Sequence, residues 1–289
     1  MKDYIKLIRV KHWIKNILVF SAVFFSGNIF NKSILINIAI AWAIFSMVSS
    51  IVYIINDIND IENDRKNPAK QNRPLASGRI SVKNAKITII VLFAIAVFLS
   101  TVLYRLNNNI YTYIIPLAYL TANIFYSKGL KNLPIIDVVI LVSGFVLRVI
   151  YGGVTTNIEV SKWLYMMVTF GSFFLAYGKR RNEIKKNGTK ARSVLKYYNK
   201  DFLDKNMYVA LTLAIASYSL WTIDKSTIQR VGNENLFWTI PLVMIIFQQY
   251  SLSIEGNSDG DPTEVLLSNK GLLFTTFIYL LSLVVILYI

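Results

Sequence analysis

The chain has 289 residues, of which 54% are hydrophobic and only 16% charged, against about 25% charged in an ordinary soluble domain. It contains no Cys and a single His, His12, so disulfides, thiolate nucleophiles, iron–sulfur clusters, Cys-ligated zinc and multi-histidine metal sites are excluded. Any metal must be held by oxygen, which suits magnesium. The net charge of +15 is read as a matter of membrane orientation, since Lys and Arg gather in cytoplasmic loops, and no nucleic-acid partner is expected.

Nine apolar runs follow one another, at about 17–30, 34–55, 87–104, 110–126, 135–151, 162–178, 206–223, 236–252 and 271–289. Each can cross a bilayer as a helix if tilt and half-buried ends are allowed. The first lies behind Lys2, Lys6, Arg9, Lys11 and Lys15, as a signal peptide would. No small-x-small cleavage site follows it and eight more runs do, so it is read as a retained first helix. The expectation is an all-α integral membrane protein, one domain over 1–289, with nine transmembrane helices around a cytoplasm-facing polar cavity. Loops 56–86 and 179–205 would roof that cavity.

Charge orients the chain. The loops on one side, with the N-terminus, hold 25 of the 31 Lys and Arg, and the other side holds 5. This predicts a cytoplasmic N-terminus and an extracytoplasmic C-terminus. Twelve of the 16 acidic residues fall on the same cytoplasmic side, among them Asp259 and Asp261 in the last loop. Topology does not require this of Asp and Glu, so the mixed-sign polar cap points to function.

The informative stretch is 53–79, Y-I-I-N-D-I-N-D-I-E-N-D-R-K-N-P-A-K-Q-N-R-P-L-A-S-G-R. On a helix continuing from the second run, Asp64 falls about 20° and Asp60 about 60° from Asp57. Three carboxylates on one face repel each other unless a cation joins them. Magnesium takes one or two carboxylates plus substrate phosphates. Arg65, Lys66, Lys70, Arg73 and Arg79 follow at once. Guanidinium groups bind phosphate oxygens bidentately, so the interleaved acids and bases suggest a magnesium-bridged phosphate.

A second cluster, Lys179, Arg180, Arg181, Asn182 and Glu183, closes the sixth run. Its ordinary reading is a helix-end ion pair and topology signal. Asp137 and Arg148 lie within the fifth run, on one face, and ionisable residues inside a span usually line a polar cavity. Trp13 among Lys11 and Lys15 reads as an interfacial anchor. No G-x-G-x-x-G or G-x-x-x-x-G-K-[ST] nucleotide motif is present.

Four segments resemble the intramembrane prenyltransferase (UbiA-type) superfamily, and more narrowly its decaprenyl-phosphate phosphoribosyltransferase branch. They are R-V-K-H-W-I-K-N at 9–16, the N-D-x-x-D-x-x-x-D-R-x-N-P-x-K-x-x-R-P-L-A-S-G run at 56–78, D-V-V-I-L-V-S-G-F-V-L-R at 137–148, and K-R-R-N-E at 179–183. Superfamily members that prenylate aromatic rings typically bear a second Asp-rich motif where this chain has Lys179, Arg180 and Glu183. Two positions depart from the branch pattern: Asn67 stands where His is usual, and Gln248-Gln249-Tyr250 lacks an Arg before the Tyr.

The resemblance implies transfer of a 5-phosphoribosyl group from 5-phosphoribose 1-diphosphate to a polyprenyl phosphate, for cell-envelope glycan precursors, in a bacterial inner membrane. Asp57, Asp60 and Asp64 would hold Mg2+ with Asn56 assisting, and Arg65 and Glu183 would line the site. Lys70, Arg73, Lys179 and Arg180 would meet donor phosphates. Lys11, Lys15, Lys131 and Arg148 would meet the 5-phosphate or the acceptor phosphate. The rival reading is a prenyl-diphosphate:aromatic prenyltransferase of the same fold, for quinone or haem side chains. Homo-oligomerisation is compatible with either.

Overall fold

The computed structural model describes residues 2–68, 70–188, 192–255 and 262–289, and Asp259 and Asp261 lie outside them. Among the described residues every regular element is helical. The order is α1 (Lys2–Leu7), a 3-10 segment (Val10–Phe20), α2 (Ser21–Phe25), α3 (Lys32–Asn59), α4 (Ile61–Lys66), α5 (Val82–Asn107), α6 (Tyr111–Lys128) and α7 (Ile136–Thr156). Then follow α8 (Lys162–Asn187), α9 (Lys200–Thr222), α10 (Lys225–Val231), α11 (Ile240–Glu255), α12 (Pro262–Ser268) and α13 (Lys270–Tyr288), with short 3-10 turns between some of them. Side-chain oxygens of Asn31, Ser81, Ser161, Asn199 and Asn269 cap the N-termini of α3, α5, α8, α9 and α13, which fixes where the long helices start.

Five helical stretches among the described residues are long and apolar enough to cross a membrane: α3, α5, α7, Asn235–Glu255 and α13. The bent pair α9 and α10, turning by 56°, raises this to six. The nine spans expected from the apolar runs are therefore not reached by this measure. The first run is the clearest departure. It is not one α-helix, because the chain takes a 3-10 path over Val10–Phe20, a short α2, and then a turn with Gly27 at φ 77°. On α5, Ile87, Ile90, Val91, Phe93, Val97 and Phe98 are exposed. A helix this apolar and this uncovered is stable in lipid, not in water.

The chain divides into two compact units. The first comprises Met1–Val23, Ile29–Leu130 and Leu147–Glu159. Its core packs Ile38, Ala41, Ile44, Phe45, Val48 and Val52 of α3 against Ala96 and Leu103 of α5, Ile115 and Tyr119 of α6, and Tyr151 of α7. One polar stripe on α3 sews down the N-terminal segment. Asn16 donates to Ser46 Oγ at 3.0 Å, Trp13 donates to Ser50 Oγ at 3.0 Å, and Ser50 donates to the Ile8 carbonyl at 2.8 Å. Positions 46 and 50 are one helical turn apart, so the 3-10 segment follows a single face of α3. Gly152 permits a close approach in the same unit, since a Cβ there would stand 1.8 Å from the Val19 carbonyl oxygen.

The second unit comprises Phe24–Asn28, Lys131–Val146 and Val160–Ile289. Here α8 packs along α9, and Phe174, Tyr177, Leu203, Met207 and Ala210 form a core with Tyr250 and Ile254 of α11.

Candidate active site

The Asp-rich stretch lies in the first unit. α3 ends at Asn59, Asp60 adopts φ −103°, ψ 10°, and α4 begins at Ile61. Asn and Asp compete with the backbone for hydrogen bonds, so the run from Asn56 to Asp60 is a poor helix continuation. The one-face geometry expected for Asp57, Asp60 and Asp64 assumed an unbroken helix, and that assumption fails at Asp60. Among the described residues no three acidic or imidazole groups converge as a ready metal centre.

Asp57 and Asp64 do come together. Both are buried, at 4% and 3% exposure, and one nitrogen of Arg73 joins them. Arg73 Nη1 lies 3.1 Å from Asp57 Oδ1 and 2.7 Å from Asp64 Oδ2. Lys70 Nζ stands 3.9 Å from Asp64 Oδ1. Arg9, which the sequence reading did not select, donates to the same Asp57 Oδ1 at 2.5 Å. Its guanidinium lies 4.8 Å over the Tyr53 ring, one turn before Asp57. The only signal for Arg9 in the sequence was its place at the head of the 9–16 segment. The cluster thus holds two carboxylates and three cations. Its hard oxygen donors fit a magnesium ion that completes its shell with phosphate oxygens.

The remaining candidates scatter. Asn56 accepts a hydrogen bond from Ser127. Arg65 donates from Nε to the Ala76 carbonyl at 3.1 Å and sits 3.7 Å from Glu62, so it braces the segment after α4. Lys11 is exposed and Lys15 half-buried on the 3-10 segment, and Lys131 and Lys179 are half-buried in the second unit. Arg148 is 5% exposed within the first unit. It donates from Nε to Asn16 Oδ1 at 2.7 Å and from Nη2 to the Tyr119 hydroxyl at 3.2 Å, and lies 5.0 Å from the centres of the Phe45 and Tyr119 rings. Asn16 and the two rings solvate it inside a span.

Arg180 is 1% exposed in the second unit and is committed to carboxylates. It donates to Asp137 Oδ2 at 2.7 Å and to Glu183 Oε2 at 2.9 Å. Arg192 stands 3.4 Å from Glu183, and the Tyr198 hydroxyl donates to Asp137 Oδ1 at 2.6 Å. The same hydroxyl accepts from the Ile135 backbone N–H, also at 2.6 Å. Ile135 has φ 70°, a strained value for a β-branched residue, and this bond helps hold it. Burial and the neighbouring Asp137 carboxylate push the Tyr198 phenol well up, so it stays protonated. The sequence offered no reason to choose Tyr198 among 17 tyrosines. Asp137 and Arg148, expected on one face of the fifth run, each serve a network within their own unit.

Comparison with known proteins bears on the family and the fold. The model of the UbiA prenyltransferase family matches residues 17–266. A decaprenyl-phosphate phosphoribosyltransferase of Corynebacterium glutamicum is 34% identical over 292 residues, covering 99% of this chain and 86% of that protein. One from Mycolicibacterium smegmatis is 30% identical, covering 92% of this chain and 86% of the relative. Among solved structures, a UbiA homologue from Archaeoglobus fulgidus bound to GPP and Mg2+ superposes with a TM-score of 0.70 at 16% identity, covering 99% of both chains. At that identity the likeness speaks for the fold. An all-helical chain with this Asp-rich segment, matched over most of its length, belongs to the UbiA prenyltransferase family and is an integral membrane protein.

Proposed function

We propose that the chain transfers a 5-phosphoribosyl group from 5-phosphoribose 1-diphosphate to a polyprenyl phosphate and releases diphosphate. The observation that carries this reading is the similarity, over nearly the whole chain, to phosphoribosyltransferases acting on decaprenyl phosphate. The basic K-R-R-N-E segment, standing where aromatic prenyltransferases carry a second acidic motif, supports the same choice.

The donor's diphosphate is assigned to the first unit, at Asp57, Asp64, Lys70 and Arg73, with Asp60 at its edge. Magnesium held by Asp57 and Asp64 would offset the charge that collects on the leaving group. Lys70 and Arg73 add positive charge in the same place, which matters most as the bond breaks. The C1–O bond to diphosphate breaks with its electron pair leaving on diphosphate. An oxygen of the lipid phosphate forms the new C1–O bond. That oxygen is already ionised, so no side chain has to remove a proton, in keeping with a chain holding one His. We further read nine membrane crossings from the nine apolar runs, a cytoplasmic N-terminus from the 25-to-5 division of Lys and Arg, and a bacterial inner-membrane location from the similarity to bacterial relatives.

The test is direct. Purified protein, magnesium, polyprenyl phosphate and donor labelled in the ribose should yield a labelled lipid. Labelled product only from a prenyl diphosphate and an aromatic acid would replace this reading by the aromatic-prenylating one.

A further inference from the structure

We infer that Arg9, together with Arg73, is a built-in counter-cation that occupies the Asp57 carboxylate until a diphosphate arrives, so that metal and diphosphate bind as one event. The inference rests on the reading of Asp57 and Asp64 as the magnesium carboxylates.

One carboxylate oxygen, Asp57 Oδ1, receives both guanidinium groups, at 2.5 Å from Arg9 and 3.1 Å from Arg73. Two buried carboxylates this close are stable only with cations between them, and arginine supplies them here. Arg73 Nη1, bonded to both Asp57 and Asp64, lies where a small dication would join the same two groups. The exposures set the order of encounter. The Asp57 side chain is 4% exposed, whereas those of Arg9 and Arg73 are 19% and 29% exposed. An anion coming from solvent therefore meets the guanidinium groups first. Arginine matches phosphate oxygens with the same fork it offers a carboxylate. A diphosphate can draw Arg9 and Arg73 onto itself, and the carboxylate oxygens they leave are then open to the metal that travels with it.

Arg9 is built for this exchange. It sits at the break between α1 and the 3-10 segment with φ 54° and ψ 50°, an uncommon conformation for a residue other than glycine. Its guanidinium rests on the Tyr53 ring, a non-covalent contact that guides the cation and leaves it able to change partners. Such strain persists only where the surroundings over-determine it. The competing account is that Arg9 merely fastens the N-terminal segment to α3. That account predicts lower stability on its removal and no gain in metal affinity.

Equilibrium dialysis of the full chain in detergent, with Mn2+ as a spectroscopic stand-in for Mg2+, separates the two. Dialysis is run with and without inorganic diphosphate, a probe shared by phosphoribosyl and prenyl donors, so the outcome does not depend on which donor is used. Wild type should retain Mn2+ only when diphosphate is present. Arg9→Gln should retain it without diphosphate, with affinity raised about tenfold or more, the worth of one lost charge-assisted bond. Arg9→Lys keeps the charge but not the fork, and should shift affinity in the same direction by a smaller factor. It also serves if the Gln variant does not fold. Unchanged or weaker Mn2+ binding in the folded variants overturns the inference. Asp57→Asn is the control for place. Loss of retention there, with no effect at Arg9, defeats the exchange alone; retention surviving Asp57→Asn defeats the carboxylate reading beneath it.

Discussion

The two charged clusters use the same residue types to opposite ends. In the first unit, Arg73 and Lys70 are 29% and 45% exposed beside nearly buried carboxylates. In the second, Arg180 and Asp137 are 1% and 0% exposed, and the pair is closed in by Tyr198 and Glu183. A guanidinium that can reach solvent can change partners. One that is sealed with its carboxylate cannot, because parting them leaves a bare charge in an apolar interior. The first cluster is thus suited to bind and release an anion. The second is a joint that ties the start of α7 to the C-terminal part of α8 and the turn before α9. The family resemblance had offered arginines of both as phosphate ligands.

The sharpest way to break this contrast is Asp57→Asn. It should lower turnover by about a thousandfold, in the range for losing a preorganised electrostatic group, while the protein still inserts and elutes as wild type. Activity within a few-fold of wild type would make the first cluster a joint as well. Next comes Arg180→Ala, which strands Asp137 in a buried position and should cost about 3 kcal/mol in thermal or denaturant unfolding. Pairing Asp137→Asn with Arg180→Gln removes both charges and should recover part of that loss. If Arg180→Ala instead keeps full stability and weakens only the phosphoribosyl donor, the second cluster is a phosphate site.

Gly152→Ala tests the frame that presents Arg9. Its Cβ would collide with the Val19 carbonyl, so it should destabilise by about 1–3 kcal/mol. Tyr198→Phe removes a hydroxyl bonded to both Asp137 and the Ile135 N–H, a loss of about 1 kcal/mol. The raised phenol also gives the sign of its pH dependence. The stability that Tyr198 confers is present below about pH 10 and lost as pH rises past it, so wild type and Tyr198→Phe should converge in alkali. Smallest of all, Arg65→Ala should change stability by less than about 1 kcal/mol and leave donor efficiency near wild type, because its charge partner Glu62 is exposed.

Much of this molecule was legible in its residues. Apolar runs at 34–55, 87–104 and 271–289 became α3, α5 and α13 because a long apolar stretch has one stable state in lipid, a helix with its backbone bonded to itself. The 53–79 stretch was also legible as a cluster of interacting charges, since acids interleaved with bases over so short a distance meet wherever the chain goes, as Asp57, Asp64, Lys70 and Arg73 do. Three things were not. The 3-10 path of Val10–Phe20 follows from Ser46 and Ser50 on α3, residues distant in sequence, whose hydroxyls hold that segment. The break at Asp60 undid a spacing argument that presumed one continuous helix. The division of labour among arginines was decided wholly by packing. Arg9, Arg73, Arg148 and Arg180 are the same residue in the sequence. Burial and the nearest polar partner, both set by residues from 9 to 132 positions away, make the first two exchangeable and the last two fixed. Composition and periodicity report what a segment can do by itself; which charges meet, and whether solvent can reach them, is a property of the folded chain.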